Sequence, residues 1–403
     1  MWWRNHRHAD SAGTRLSALP PRAASLALSA YYFAYFAYVG AYSPYITLYL
    51  NDIGLAATQI GVLYAIPQVM RIFGPAAWGI LADRLGTTAT ILRLAAVLAW
   101  LSFCGLYLGT SFTWVFAVLI AMHFFTSAQM PLIETITLDH VCDTPGQYGR
   151  IRVWGSVGFI LSVLGLGYLL DHLAVATVLH VVAVLLLATV LAAWIVPERG
   201  KSGRAAGGVP LAAILARPAV QGFLAAGFLN AFAHAALYTF YSIHLKEHGY
   251  SASTIGWMWS IGVLIEIGVF QYMPQITRHF RLESLYFSTF VVCAVRFMII
   301  GWSADVFWLL VIAQTMHAFT FAVYHASAVG LVARHFGPRH QARGQALFIS
   351  VSYGAGGFTG GIACGLMWDA FGAQWTFTAS AIAGALGAGV LALSRRGAPR
   401  VAG

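Results

Sequence analysis

Residues 122–126 read MHFFT, and residues 316–320 read MHAFT, 194 positions later. Outward from this pair, AYSPY at 41–45 recurs as LYTFY at 237–241, an offset of 196, and QIG at 59–61 recurs as TIG at 254–256, an offset of 195. Three short matches in one order at nearly one spacing mark an internal duplication. Under it Arg71 corresponds to Glu266, so the halves share an architecture and differ in chemistry.

The medium follows from composition. The 403 residues are 59% hydrophobic and only 9% charged, with a mean hydropathy of +0.74. Such a chain cannot build a water-soluble surface. Runs of about 20 apolar residues cross a bilayer as helices, because helices satisfy their own backbone polar groups. Twelve are present, at 24–50, 58–82, 89–109, 112–137, 150–171, 174–196, 219–245, 254–277, 284–302, 305–333, 343–369 and 374–394. The expected fold is an all-α membrane protein of twelve transmembrane helices in two pseudo-symmetric six-helix bundles, 24–196 and 219–394, joined by a cytoplasmic linker at 197–218. A parallel repeat of this kind sets the symmetry axis along the membrane normal.

The net charge of +10 is distributed by loop. Basic residues gather before segment 1, in every second loop and after segment 12, while the intervening loops hold one, Lys246. The positive-inside rule therefore predicts cytoplasmic termini. The basic excess is matched by anionic lipid, with no nucleic acid required. Cys104, Cys142, Cys293 and Cys364 are isolated, so neither a disulfide framework nor a metal site is expected. MWWRNHRHAD at 1–10 carries no cleavage pattern, and no removed signal peptide is expected. No nucleophile elbow or HExxH pair occurs, so an enzyme is not expected and no cofactor is implied. The glycine-rich GAGGFTGG at 354–361 follows no strand and reads as close helix packing.

Away from the segment ends, five charges are expected to lie within the membrane: Arg71, Arg152, Arg296, Glu134 and Glu266. An unpaired ionised group at that depth costs at least about 2.5 kcal/mol, so each is expected to pair or to face water. One surplus arginine suits an anionic substrate, since the guanidinium fork grips a carboxylate bidentately. Tyr148–Ile160, YGRIRVWGSVGFI, carries Arg152 into segment 5, and Glu134 sits in segment 4. They read either as a substrate site or as an ion pair locking two helices. Glu266 shares a helical face with Trp259 and Gly262, and reads as a proton carrier or as the fixed partner of an arginine. In segment 1, Tyr31, Tyr35, Tyr38, Tyr42, Tyr45 and Tyr49 form one stripe, either packed or lining a polar cavity. Asn230, His234, Tyr238 and Tyr241 share a face of segment 7.

A duplicated six-plus-six chain with GILADRLG at 79–86 resembles the major facilitator superfamily, which implies gating roles for Asp83 and Arg84. YGRIRVWGSVGF (148–159), AVRFMIIG (294–301) and QTMHAF (314–319) are similar to its lactose–proton symporter subgroup. HAALYTF (234–240), GYSASTIG (249–256) and QTMHAFTFAVYHASA (314–328) resemble its 3-phenylpropionate transporter-like subgroup over most of the length. The first resemblance implies that Arg152 and Glu134 contact substrate and that His317 and Arg296 serve proton coupling. That subgroup has acidic residues where this chain has Thr320 and Val263, so Glu266 with His317 is the expected proton route.

The expected protein is a monomeric proton-coupled symporter of the bacterial cytoplasmic (inner) membrane, importing a small organic acid such as 3-phenylpropionate by alternating access. The carboxylate is expected on Arg152 or Arg296, with the body of the substrate against Tyr38, Tyr42, His234, Tyr238 and Trp259. Competing expectations are a sugar or glycan-fragment symporter, an exporter of a lipophilic compound, and, from other classes, a membrane enzyme or a non-transporting sensor.

Overall fold

The computed structural model describes residues 21–85, 87–141, 147–197 and 211–396. The spanning helices are α1 (Pro21–Asp52), α2 (Ala57–Leu85), α3 (Thr88–Cys104), α4 (Phe112–Val141), α5 (Gln147–Leu170) and α6 (Thr177–Ile195), then α7 (Pro218–Glu247), α8 (Ala252–His279), α9 (Leu282–Trp302) and α10 (Phe307–Gly337). Two more follow, α11 over 338–371 and α12 over 373–396, parted where Gly372 takes φ 80°. Among the described residues there is no strand. A short helix, Leu211–Leu215, precedes α7; residues 198–210 of the expected linker lie outside the described residues.

The duplication is visible in the punctuation. α1 and α7 end alike: Gly54 at φ 84° and Gly249 at φ 80° adopt the left-handed conformation that glycine reaches without penalty. Behind each, the chain folds back onto the helix, Leu55 N donating to Leu50 O and Tyr250 N to Leu245 O. This is a glycine-terminated cap that satisfies carbonyls a helix leaves unpaired.

Two seams join the halves, α2 against α11 and α5 against α8, with α1 and α7 meeting between them. Both seams are sealed at the end opposite the termini. There a Cβ on Gly365 would sit 2.7 Å from the Ala57 carbonyl oxygen, and one on Gly167 would sit 2.7 Å from that of Ala252. Each seam is also pinned by an aspartate that caps the facing helix. Asp369 accepts from Ala57 N at 3.1 Å and Thr58 N at 2.8 Å, and Asp171 accepts from Ser253 N at 3.2 Å. Tyr45 completes the seal, its hydroxyl directed at Val163 O (2.8 Å) and Ala252 O (3.2 Å).

The termini end is different. Gly79, Gly149 and Gly268 have open space where a side chain would stand, and Ile267, Phe270 and Tyr272 of α8 are exposed. The close glycine contacts between the halves run from the end opposite the termini as far as Gly354 against Ile72, and Arg71 beside it is exposed to an intervening space on the termini side. The glycine-rich stretch of α11 packs closely, as its composition predicts: a Cβ on Gly360 would lie 2.8 Å from Phe232 Cα of α7. Two π-helical turns interrupt the last helices, Phe319–Val323 in α10 and Ser350–Gly356 in α11. Such turns re-aim side chains and concentrate at functional positions.

Candidate functional site

α1 supplies the wall of the intervening space. Rings climb it from Tyr31 through Tyr35 and Tyr38 to Tyr42, with centroids 5.7–6.3 Å apart. The two readings of this stripe divide by position. The Tyr31 hydroxyl is committed to Gln129 at 2.9 Å and the Tyr42 hydroxyl to His123 at 2.9 Å, whereas Tyr35 is half-buried and feels Arg71, Arg152 and Glu134 together. From the other half, Tyr238 stacks on Trp259 at 5.9 Å, and the Trp259 indole donates to the Ser242 hydroxyl at 3.1 Å. Tyr38, His234 and Trp259 are buried, so they back the wall more than they face the space.

The intramembrane charges separate into two groups. In the first, Arg152 is the cation felt by both Glu134 and Glu266, one from each half. Glu134 and Arg152 do not form the direct ion pair considered from sequence: among the described residues no contact within 4.0 Å joins them. The guanidinium instead lies 4.1 Å from the Phe36 ring centroid and 5.4 Å from that of Tyr32, a cation–π arrangement. Gly155 makes room for it, since a Cβ there would meet Arg152 Nη1 at 2.9 Å.

The second group is a closed network within the second half. Arg296 is fully buried and donates to Ala313 O (2.8 Å), Thr320 Oγ1 (3.3 Å) and Gln314 Oε1 (3.4 Å). It is not presented to the intervening space, which corrects its expected contact with substrate. A buried guanidinium needs its donors satisfied, and α10 satisfies them. His234 joins the network, its Nδ1 donating to Asn230 O at 2.8 Å and its Nε2 lying 3.3 Å from Thr320 Oγ1.

His317 belongs with this second group: Arg296 and His234 are its charged or titratable neighbours, while the charged neighbour of Glu266 is Arg152. The expected pairing of Glu266 with His317 is thus a juxtaposition without a contact. His317 packs over Gly262, one turn from Glu266, where a Cβ would meet its ring at 2.9 Å, and its Nδ1 has no partner among the described residues. Of the gating pair, the Asp83 side chain lies outside the described residues. Arg84 is exposed beside a surface groove lined by Trp78, Leu81 and Phe124.

Three features escaped the sequence reading. Gln314 and Thr320 hold Arg296 through partners that only the packing of α9 on α10 brings together. Asp171 and Asp369 stand at the ends of α5 and α11 at equivalent points of the repeat, 198 residues apart, a signal that was present in the sequence. Arg71 is exposed, although its neighbours come from α1, α2, α4, α7 and α11 (Tyr35, Tyr64, His123, Tyr238 and Tyr353), which places it centrally.

Comparison with known proteins is consistent with this geometry. A sequence model of the MFS_1 like family matches residues 25–379. The chain belongs to that family. It is therefore a major facilitator superfamily member, a multi-pass membrane transporter of small molecules and not an enzyme. It is 29% identical over 334 residues to the "Probable 3-phenylpropionic acid transporter" of Escherichia coli (strain K12), covering 81% of this chain and 86% of that one. It is 31% identical over 137 residues to the maltose permease of Geobacillus stearothermophilus, 34% of this chain and 35% of that one. Among solved structures, a mutant form of the nucleoside transporter NupG superposes with a TM-score of 0.84 at 18% identity, covering 92% of this chain and 99% of that chain, a likeness of fold.

Proposed function

We propose that this major facilitator protein is a proton-coupled symporter that imports a small organic acid, an aromatic carboxylate of the 3-phenylpropionate type. The observation that carries the reading is the meeting of Arg71, Arg152, Glu134 and Glu266, drawn from both halves, on one space between the bundles. The four charges on the space balance, two arginines against two glutamates, and Arg296 behind the wall adds a positive charge with no carboxylate within 4.0 Å among the described residues, which favours an anion. Phenol faces around the space suit an aromatic body. The similarity to the 3-phenylpropionic acid transporter supports the same substrate class.

Basic loops at the termini end support a cytoplasmic placement of that end, in a bacterial inner membrane. The arrangement is then inward-facing. Glu266 lies on α8 and Arg152 on α5, so their separation changes whenever that seam opens or closes. Protonating Glu266 weakens its attraction to Arg152, and the proton gradient is thereby coupled to rocking of the halves. One copy of the chain suffices, because both halves of the site are in it.

The test is flux into proteoliposomes under an imposed inward proton gradient, with 3-phenylpropionate, a disaccharide and a nucleoside as probes. Accumulation of the acid alone is the expected result. The maltose permease and NupG similarities support a second reading, a sugar or nucleoside symporter. Accumulation of either of those probes without the acid overturns the carboxylate reading in its favour.

A further inference from the structure

The two arginines that face the intervening space do not have the same surroundings. Arg152 is the cation whose charge acts on two carboxylates, Glu134 and Glu266. Neither arginine has a carboxylate within 4.0 Å among the described residues, but the charge that acts on Glu134 and Glu266 is that of Arg152 and not of Arg71, and Arg71 makes no hydrogen bond to a described residue. What it has is aromatic. Its guanidinium stands 5.9 Å from the ring centroid of Tyr353, which the π-helical turn of α11 carries, and its charge reaches Tyr35, Tyr64 and Tyr238.

The duplication sharpens this contrast. Arg71 on α2 corresponds to Glu266 on α8. Across the α5–α8 seam, Glu266 faces a cation. Across the α2–α11 seam, Arg71 faces a phenol, and the residue of α11 that corresponds to Arg152 at the 198-residue spacing is Ser350. The α5–α8 seam sets a carboxylate toward its arginine, while Arg71 has an aromatic neighbour in that place, with Glu266 acting on the same Tyr238 and Tyr353. A cation held at mid-membrane depth with no protein counter-ion draws an anion from the water that reaches it.

We infer that Arg71 is the residue that binds the carboxylate of the transported acid, with Tyr353 and Tyr238 flanking its aromatic body, and that Arg152 is kept for Glu134 and Glu266. The inference rests on the carboxylate reading above and assigns within it a binding residue that the sequence reading left out of the site. It divides the labour: Arg71 recognises the anion, and Arg152 reports protonation of the glutamates to the α5–α8 seam.

The experiment compares binding of 3-phenylpropionate and of its neutral amide, 3-phenylpropanamide, to the purified full-length protein by calorimetry. The wild type is expected to prefer the acid. In Arg71→Gln the acid is expected to weaken by about tenfold to a hundredfold, the range of one charge-assisted hydrogen-bonding contact, while the amide is unchanged. Unchanged amide binding also shows that the variant is folded. Arg71→Lys, which keeps the charge and loses the fork, is expected to fall between. Arg152→Gln is expected to keep the preference for acid over amide and to lose accumulation driven by a proton gradient. The inference is overturned if Arg71→Gln keeps the preference, if it weakens acid and amide alike, or if Arg152→Gln is the variant that erases it. A wild type that binds neither probe overturns the carboxylate reading itself, and the inference with it.

Discussion

The α2–α11 and α5–α8 seams are the same joint built twice, and they differ where it matters. At the sealed end they are near copies, with glycines against a facing backbone carbonyl and an aspartate capping the opposite helix. Nearer the middle they part: Glu266 under the charge of Arg152 on one, Arg71 beside Tyr353 on the other. Closing contacts recur because both seams must shut against the same rigid partner geometry. Charges diverge because ligand recognition and proton coupling need different groups, and a duplicated frame offers two equivalent places to put them.

Breaking the asymmetry has the largest expected effect. Glu266→Gln removes the titratable member of the α5–α8 seam, and accumulation against a gradient is expected to vanish while substrate exchange persists. Uphill uptake surviving in that variant would remove Glu266 from proton coupling. Next comes the symmetric part. Gly61→Val and Gly167→Val each place a side chain where backbone or the Tyr45 hydroxyl already stands. Overpacking of about 1–3 kcal/mol is expected to shift the populations toward the state open opposite the termini by about 5- to 150-fold. Spin-label distances across that end check it, and equal shifts from the two variants would show that the seams bear equal weight.

Smaller effects sharpen the picture. Arg296→Gln leaves Ala313 O and Thr320 without their donor and is expected to cost about 1–3 kcal/mol. A lower thermal midpoint with substrate affinity retained is the expected signature of its place inside the wall. Asp369→Ala and Asp171→Ala each remove a helix cap and are expected to loosen the sealed end by about 2- to 30-fold, read by the same distances.

Least of all is an effect of pH. At Asp171 burial acts to raise the carboxyl, but hydrogen bonds from Ser253 and Ala252 outweigh it and hold the group below its ordinary value of 3.8. A depressed carboxylate contributes fully above its ordinary value, and the contribution fades as pH falls through the lowered one. The seal is therefore expected to be indifferent to pH near neutrality and to weaken only below about pH 4. Loosening at pH 6 would show that another group governs it.

The helices and their duplication were legible because both are written locally. Apolar length decides a span, and a repeat preserves spacing through Gly54 and Gly249 as well as through the longer matches. Arg152, Glu134 and Glu266 were legible as a set, since charge inside an apolar run is costly wherever it occurs. The same signal misread Arg296, because an arginine that faces water and one that is capped by Ala313, Gln314 and Thr320 look alike in a sequence. Arg71 was counted among the charges yet left out of the site for the converse reason: its exposure depends on α1, α4, α7 and α11 standing around it.

By itself, then, the sequence determined the solvent, the number of spans, the twofold build and the inventory of charges, because each depends on the composition of a run or on a spacing along it. Only the tertiary structure decided which charges share a space, which are locked into a wall, and which end of the molecule is shut. Those are questions of distance between residues remote in the chain, and the free energy of an ion in a membrane is set by what stands within a few ångströms of it.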